Sequence, residues 1–137
     1  MDKKKLTIGI FGFGCVGQGL FDVLNKSKGV NAVIKKIGVK DAEKKRSVDL
    51  KFITFDKNEI LDDPEIDIVV EMIDDADAAF QIVVSAMKRG KGVVTANKKM
   101  VAEHFDELLQ LQTACNVPFL YEASSCASIP VIRNLEE

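Results

Sequence analysis

Short apolar runs alternate along the chain with longer stretches of helical spacing. Leu6 to Phe11 is a strand-like run that enters the glycine turn Gly12-Phe13-Gly14-Cys15-Val16-Gly17. Val16, Leu20, Val23 and Leu24 then share one helix face, and this helix is expected to end near Gly29. A second strand is predicted over 32–39, a polar loop over 41–49 and a short third strand over 52–55, followed by a brief helix capped by Asp56 before Pro64. Ile66, Ile68, Val69, Val70, Met72 and Ile73 are almost continuous, so 66–73 reads as a buried fourth strand in a sheet covered on both faces. Phe80, Val83, Val84 and Met87 line the next helix, which Gly90 stops, and 92–95 is the fifth strand. Asn97 caps a helix whose core stripe is Val101, Phe105, Leu108 and Leu109. Asn116 and Pro118 terminate that helix, and 118–122 forms the sixth strand.

Strands that alternate with helices predict an α/β fold: a Rossmann-type doubly wound, mainly parallel six-stranded sheet with helices on both faces. A length of 137 residues with 47% apolar content suits one domain spanning 1–137. The last segment, 129–137, carries Pro130 in a first helical turn and apolar Val131, Ile132 and Leu135, but no exit signal. The natural polypeptide is therefore expected to continue past Glu137.

Charge and cysteines narrow the classes of function. With 19 basic and 21 acidic residues interleaved, no nucleic-acid footprint stands out. Cys15, Cys115 and Cys126 are far apart and lack metal spacing, which argues against structural disulfides and zinc. No apolar run is long enough to cross a membrane and the charged N-terminus is unlike a signal peptide, so a cytoplasmic protein is expected.

Candidate chemistry collects at the carboxyl ends of the strands, where open α/β sheets bind ligands. In the Gly-x-Gly-x-x-Gly turn, Gly12 permits the tight turn, Gly14 the close approach of backbone to a pyrophosphate, and Gly17 close packing of helix on strand. Phosphates would meet the unpaired N–H groups of the following helix. Lys40, helped by Lys45 or Arg46, leans the cofactor towards NADP, whereas Asp41 keeps NAD open. Lys98, directly after the Thr95-Ala96-Asn97 strand end, can reach a nicotinamide ribose or a substrate oxygen. Unless burial or a neighbouring cation lowers its pKa, a lysine there positions groups and stabilises negative charge rather than accepting a proton. Asp74, Asp75 and Asp77 resemble a metal cluster but are explained as acids at a helix N-terminus. His104 reads as a surface residue within a helix, with no triad or metal set nearby.

Four stretches together resemble the nucleotide-binding domain of homoserine dehydrogenase: Gly12 to Gly17, Ile66 to Glu71, Gly92 to Lys98, and Tyr121 to Ser124 with Ile129-Pro130. The resemblance implies NAD(P)-dependent interconversion of homoserine and aspartate semialdehyde by hydride transfer. Together with the reading of Lys40 above, cofactor contacts are expected at Gly12, Phe13, Gly14, Cys15, Val16, Gly17, Lys40, Ile73, Thr95 and Lys98, and the resemblance implies that Lys98 also touches substrate in a catalytic role. It further implies a sodium site, largely of backbone carbonyls, at Glu122, Ser125, Ala127 and Ile129. A second lysine with the principal proton-transfer role, and the acids that hold the substrate's amino group, belong to a catalytic and dimerisation domain expected after residue 137. The chain alone should thus bind cofactor without turnover, and the full-length protein should be a homodimer. Asp74-Asp75 replaces the family's Gly-Gly pair, and Cys126-Ala127-Ser128 its glycine-rich residues before Ile129-Pro130. Two other readings fit the glycine turn: another two-domain Rossmann amino-acid or aldehyde dehydrogenase, and a non-enzymatic dinucleotide-sensing module.

Overall fold

The computed structural model describes residues 6–12, 32–39, 50–73 and 75–121. Six strands form one sheet: β1 (Leu6–Phe11), β2 (Ala32–Gly38), β3 (Ile53–Thr54), β4 (Ile68–Glu71), β5 (Gly92–Thr95) and β6 (Phe119–Leu120). Their order is β3-β2-β1-β4-β5-β6, and every pairing is parallel. This is the doubly wound order expected from the sequence, reversing direction between β1 and β4. The helices among the described residues are α1 (Asn58–Leu61), α2 (Ala76–Lys88), α3 (Lys98–Glu103) and α4 (Phe105–Cys115). None is long and apolar enough to cross a membrane. The helix expected to end near Gly29, the loop over 41–49 and the segment 129–137 lie outside the described residues.

Strand alternation sorts the core into two layers, because successive side chains point to opposite faces. Phe11, Val69, Val93 and Phe119 pack with Ile60, Leu61 and the buried stripe of α2, namely Ala76, Ala79, Val83, Ala86 and Met87. Ile8, Ile10, Ile34, Ile37, Ile68, Val70 and Val94 form the other layer. Both layers are buried, as in a sheet covered on both sides.

Local chemistry sets the element ends. The Asp75 carboxylate accepts N–H bonds from Asp77 and Ala78 and so caps α2, as the acidic run predicts. At the other end, Gly90 adopts φ +78°. Its N–H bonds Met87 O, and that of Lys91 bonds Ala86 O, the paired bonds of a Schellman motif. Asp56 acts from one position earlier than a standard cap, with Oδ1 accepting the Asn58 N–H at 2.9 Å.

Several expected bounds are corrected: the third strand ends at Thr54 and the sixth runs only over Phe119–Leu120. The fourth strand runs only over Ile68–Glu71: the Ile66 N–H turns back to Asp63 O, outside the ladder. Phe52 belongs to a single 3-10 turn, Leu50–Phe52, rather than to the third strand. The helix after Asn97 breaks at His104 (φ −126°, ψ 25°), which ends α3 and precedes α4. The break resets the helical phase, so Met100 and Leu108 are buried whereas Phe105 and Leu109 are exposed.

Charged groups organise the amino end of the sheet. Between Ile8 and Gly9 the register of β1 shifts from Ile34 to Lys36, leaving Lys35 as an extra residue in β2. Its amino group lies 2.6 Å from both Asp63 and Glu65 carboxylates. The bond from Lys35 holds the Asp63 carboxyl below its ordinary range, and the same contacts raise Lys35. Buried Lys91 donates to the carbonyls of Asp63 (2.6 Å) and Ile66 (2.8 Å), and burial pushes its pKa down.

Candidate functional site

The strand order places the carboxyl ends of β1 and β4 side by side at the point where the winding reverses, the usual ligand crevice of such sheets. Gly12 leaves β1 there with φ +89°, and its N–H bonds Gly38 O of β2 at 2.9 Å. A Cβ on Gly12 would stand 2.9 Å from Ile73 Cγ2 and 3.0 Å from Met72 O. Conformation and space therefore both demand glycine. The same contact brings Gly12 against Ile73.

A buried polar network joins this wall to the end of β5. Glu71 is fully buried; its Oε1 accepts the Ile73 N–H at 2.6 Å, and its Oε2 accepts the Thr95 hydroxyl at 2.5 Å. Both oxygens of the buried carboxyl group are thereby engaged, one by each strand end. The Thr95 hydroxyl in turn accepts the Asn97 N–H at 3.1 Å. Asn97 spans the crevice: its Nδ2 donates to Ile73 O at 3.0 Å, and its Oδ1 accepts the Met100 N–H at 2.9 Å. One side chain thus caps α3 and fastens it to the exit of β4.

Gly12, Ile73 and Thr95 are thereby brought together at the carboxyl end of the sheet. Lys98 follows directly as the exposed first residue of α3. Phe13, Gly14, Cys15, Val16, Gly17 and Lys40, with the expected sodium residues Glu122, Ser125, Ala127 and Ile129, lie outside the described residues. Sequence reasoning did not assign Glu71 a place in the site. Its signal was present, since an acid closing the apolar run Ile68-Val69-Val70 must have partners if buried.

Chemically, the assembled edge presents a backbone turn without Cβ, a half-buried isoleucine and a lysine at a helix start, held by hydrogen bonds across two strand ends. Such an edge suits a flat, phosphate-bearing ligand lying across the switch point.

Comparison with known proteins agrees. The family profile described as "Homoserine dehydrogenase, NAD binding domain" matches residues 12–122. Homoserine dehydrogenase of Bacillus subtilis is 36% identical over 143 residues, covering 98% of this chain and 33% of the relative. That of Helicobacter pylori is 38% identical over 142 residues, with the same coverage of 98% and 33%. The crystal structure of S. aureus homoserine dehydrogenase superposes with a TM-score of 0.81 at 34% identity, covering 90% of this chain and 33% of that one. The chain spans about a third of the length of the curated relatives it matches. On the match over residues 12–122, supported by the fold and by the geometry at the strand ends, the chain belongs to the homoserine dehydrogenase NAD-binding domain family.

Proposed function

We propose that this chain is the NAD(P)-binding domain of a homoserine dehydrogenase, which interconverts L-homoserine and L-aspartate 4-semialdehyde. The observation that carries the reading is the joining of Gly12, Ile73 and the Thr95–Lys98 segment at the switch point of the sheet, in a chain of this family. The residues present fit a dinucleotide. Gly12, where a Cβ would strike Ile73 and Met72, lets the chain turn closely against the end of β4, and the glycine turn that follows in the sequence carries N–H groups for phosphate.

When bound, the nicotinamide supplies the hydride-exchanging carbon. The chain's own residues bind and orient. The turn over 12–17 holds the pyrophosphate, and Ile73 and Thr95 flank the nicotinamide side. Lys98, whose helix is tied to β4 through Asn97, places a positive charge near the substrate oxygen. Lys40, with Lys45 or Arg46, favours NADP over NAD. A following domain supplies the principal proton-transfer lysine, the groups that hold the substrate's amino group and the homodimer interface. Sodium held by Glu122, Ser125, Ala127 and Ile129, and a cytoplasmic setting, belong to the same reading.

Calorimetric titration with NADP and NAD at one ionic strength tests it, alongside a Gly14→Val variant whose side chain blocks the pyrophosphate. Saturable binding by the parent chain that disappears in the variant is expected, with NADP the tighter ligand and no homoserine oxidation by these residues alone. Equal affinity in the parent and Gly14→Val chains would refute the assignment of the turn, and turnover by the chain alone would refute the division of labour.

A further inference from the structure

The chain's only histidine lies at the break between α3 and α4. Its ring stacks on Phe80 of α2, with centroids 3.8 Å apart and planes 16° from parallel. Phe80 is one helical turn beyond Asp77, so this stacking holds the imidazole beside the Asp77 carboxylate. One ligand atom from each of Asp77, Glu103 and His104 lies within 4.8 Å of the others. Glu107 adds a carboxylate oxygen 3.4 Å from His104 Nδ1.

Helix capping does not account for this cluster. Asp77 is at the favourable end of α2, but Glu103 is the last residue of α3, where a carboxylate opposes the helix dipole. Among the described residues, neither the Asp77 nor the Glu103 carboxylate is paired with a lysine or arginine. Like charges this close are held together at a cost that an intervening cation removes.

We propose that Asp77, Glu103 and His104 form a binding site for a divalent transition-metal ion of the zinc type, with water completing its coordination. Zinc binds imidazole nitrogen and carboxylate oxygen at about 2.0–2.2 Å, so tetrahedral ligand atoms stand ~3.4 Å apart. The ligand atoms stand within 4.8 Å of one another, so the two exposed carboxylates would have to rotate inward on the ion, with the imidazole kept stacked on Phe80. Magnesium and calcium, which require oxygen-rich shells, fit one nitrogen and two carboxylates poorly. The ion would fasten the start of α2 to the α3–α4 junction. These are the helices that leave the crevice walls.

A zinc titration of the chain, followed by NMR and calorimetry, tests the site. With one histidine in the sequence, a single set of imidazole signals reports the event. Stoichiometric shifts of those signals at one equivalent of zinc are expected. Asp77→Asn and Glu103→Gln, both exposed and close in shape to the parent residues, should each weaken binding by no less than the about 10- to 100-fold that loss of an outer-sphere partner costs. His104 signals that stay put while zinc binds elsewhere, as at the cysteine thiols, would overturn the proposal. So would unchanged affinity in the two carboxylate variants, or an equal response to magnesium.

Discussion

Replacing Thr95 with valine asks whether the end of β5 is held by a hydroxyl or merely by its shape. The two side chains have nearly the same volume, so the packing is conserved and two hydrogen bonds are lost: the one to Glu71 Oε2 and the one from the Asn97 N–H. Thr95 is 1% and Glu71 0% exposed, so water does not replace the missing donor without a rearrangement. Removing one partner of a buried hydrogen bond costs about 1–3 kcal/mol and losing a partly exposed one about 1 kcal/mol. The extra buried methyl returns about 0.8 kcal/mol. The expected net loss is about 1–3 kcal/mol, and at ~3–4 °C per kcal/mol for a domain of this size the melting temperature should fall by roughly 3–12 °C. Thr95→Ser is the control. It keeps both bonds and loses one methyl, about 1 kcal/mol or ~3–4 °C. Thermal unfolding followed by circular dichroism reads both variants under the same buffer. A valine variant at least as stable as the serine variant would refute the argument that the polar network holds the two strand ends together.

Two further perturbations follow from the geometry. Gly12→Ala forces a side chain into φ +89° and a Cβ to 2.9 Å from Ile73 Cγ2, so a loss of at least about 2 kcal/mol is expected in chemical denaturation, with weakened NAD(P) binding; an unchanged midpoint would show that the turn relaxes freely. Lys35→Met removes the bond that depresses Asp63. A depressed carboxyl contributes stability that is present above its unfolded pKa of about 3.9 and is lost as pH falls through the lower folded value. The variant should therefore show a raised Asp63 pKa by NMR and a flatter acid limb of stability; an identical Asp63 titration in both proteins would contradict the assigned cause.

How much of this was legible in the residues depended on whether local pattern or distant contact decided the outcome. The strands β1, β2 and β5 follow their apolar runs, since burial and backbone pairing select the same positions. Asp75, Asn97 and Gly90 announced helix ends through short-range chemistry that tertiary contact did not override. The break at His104 was hidden, because apolar spacing continues through Val101, Phe105 and Leu108, and what marks the break is a ring stacked on Phe80, 24 positions earlier in the chain. Ile66 misled for a related reason: it is buried in the core yet outside the ladder. At the site, the glycine turn and the Thr95–Lys98 segment stood out as motifs. The Glu71–Thr95–Asn97–Ile73 connection needs two strand ends to be adjacent and is not a property of either segment.

The adjacency of β1 and β4 also orders events in time. The Thr7 N–H is bonded to the Asp67 carboxylate across a separation of 60 residues, and β1 cannot meet β4 until everything between them has been synthesised. Closing so long a loop adds little entropy beyond that of a loop half its length, yet contacts of such separation form slowly. A nascent chain ending after β3 has one wall of the crevice and no second wall to face it. Ligand capture thus becomes a reporter of completed folding: a dinucleotide that binds only the finished sheet stabilises it by mass action, with a gain that grows with the logarithm of its concentration above Kd.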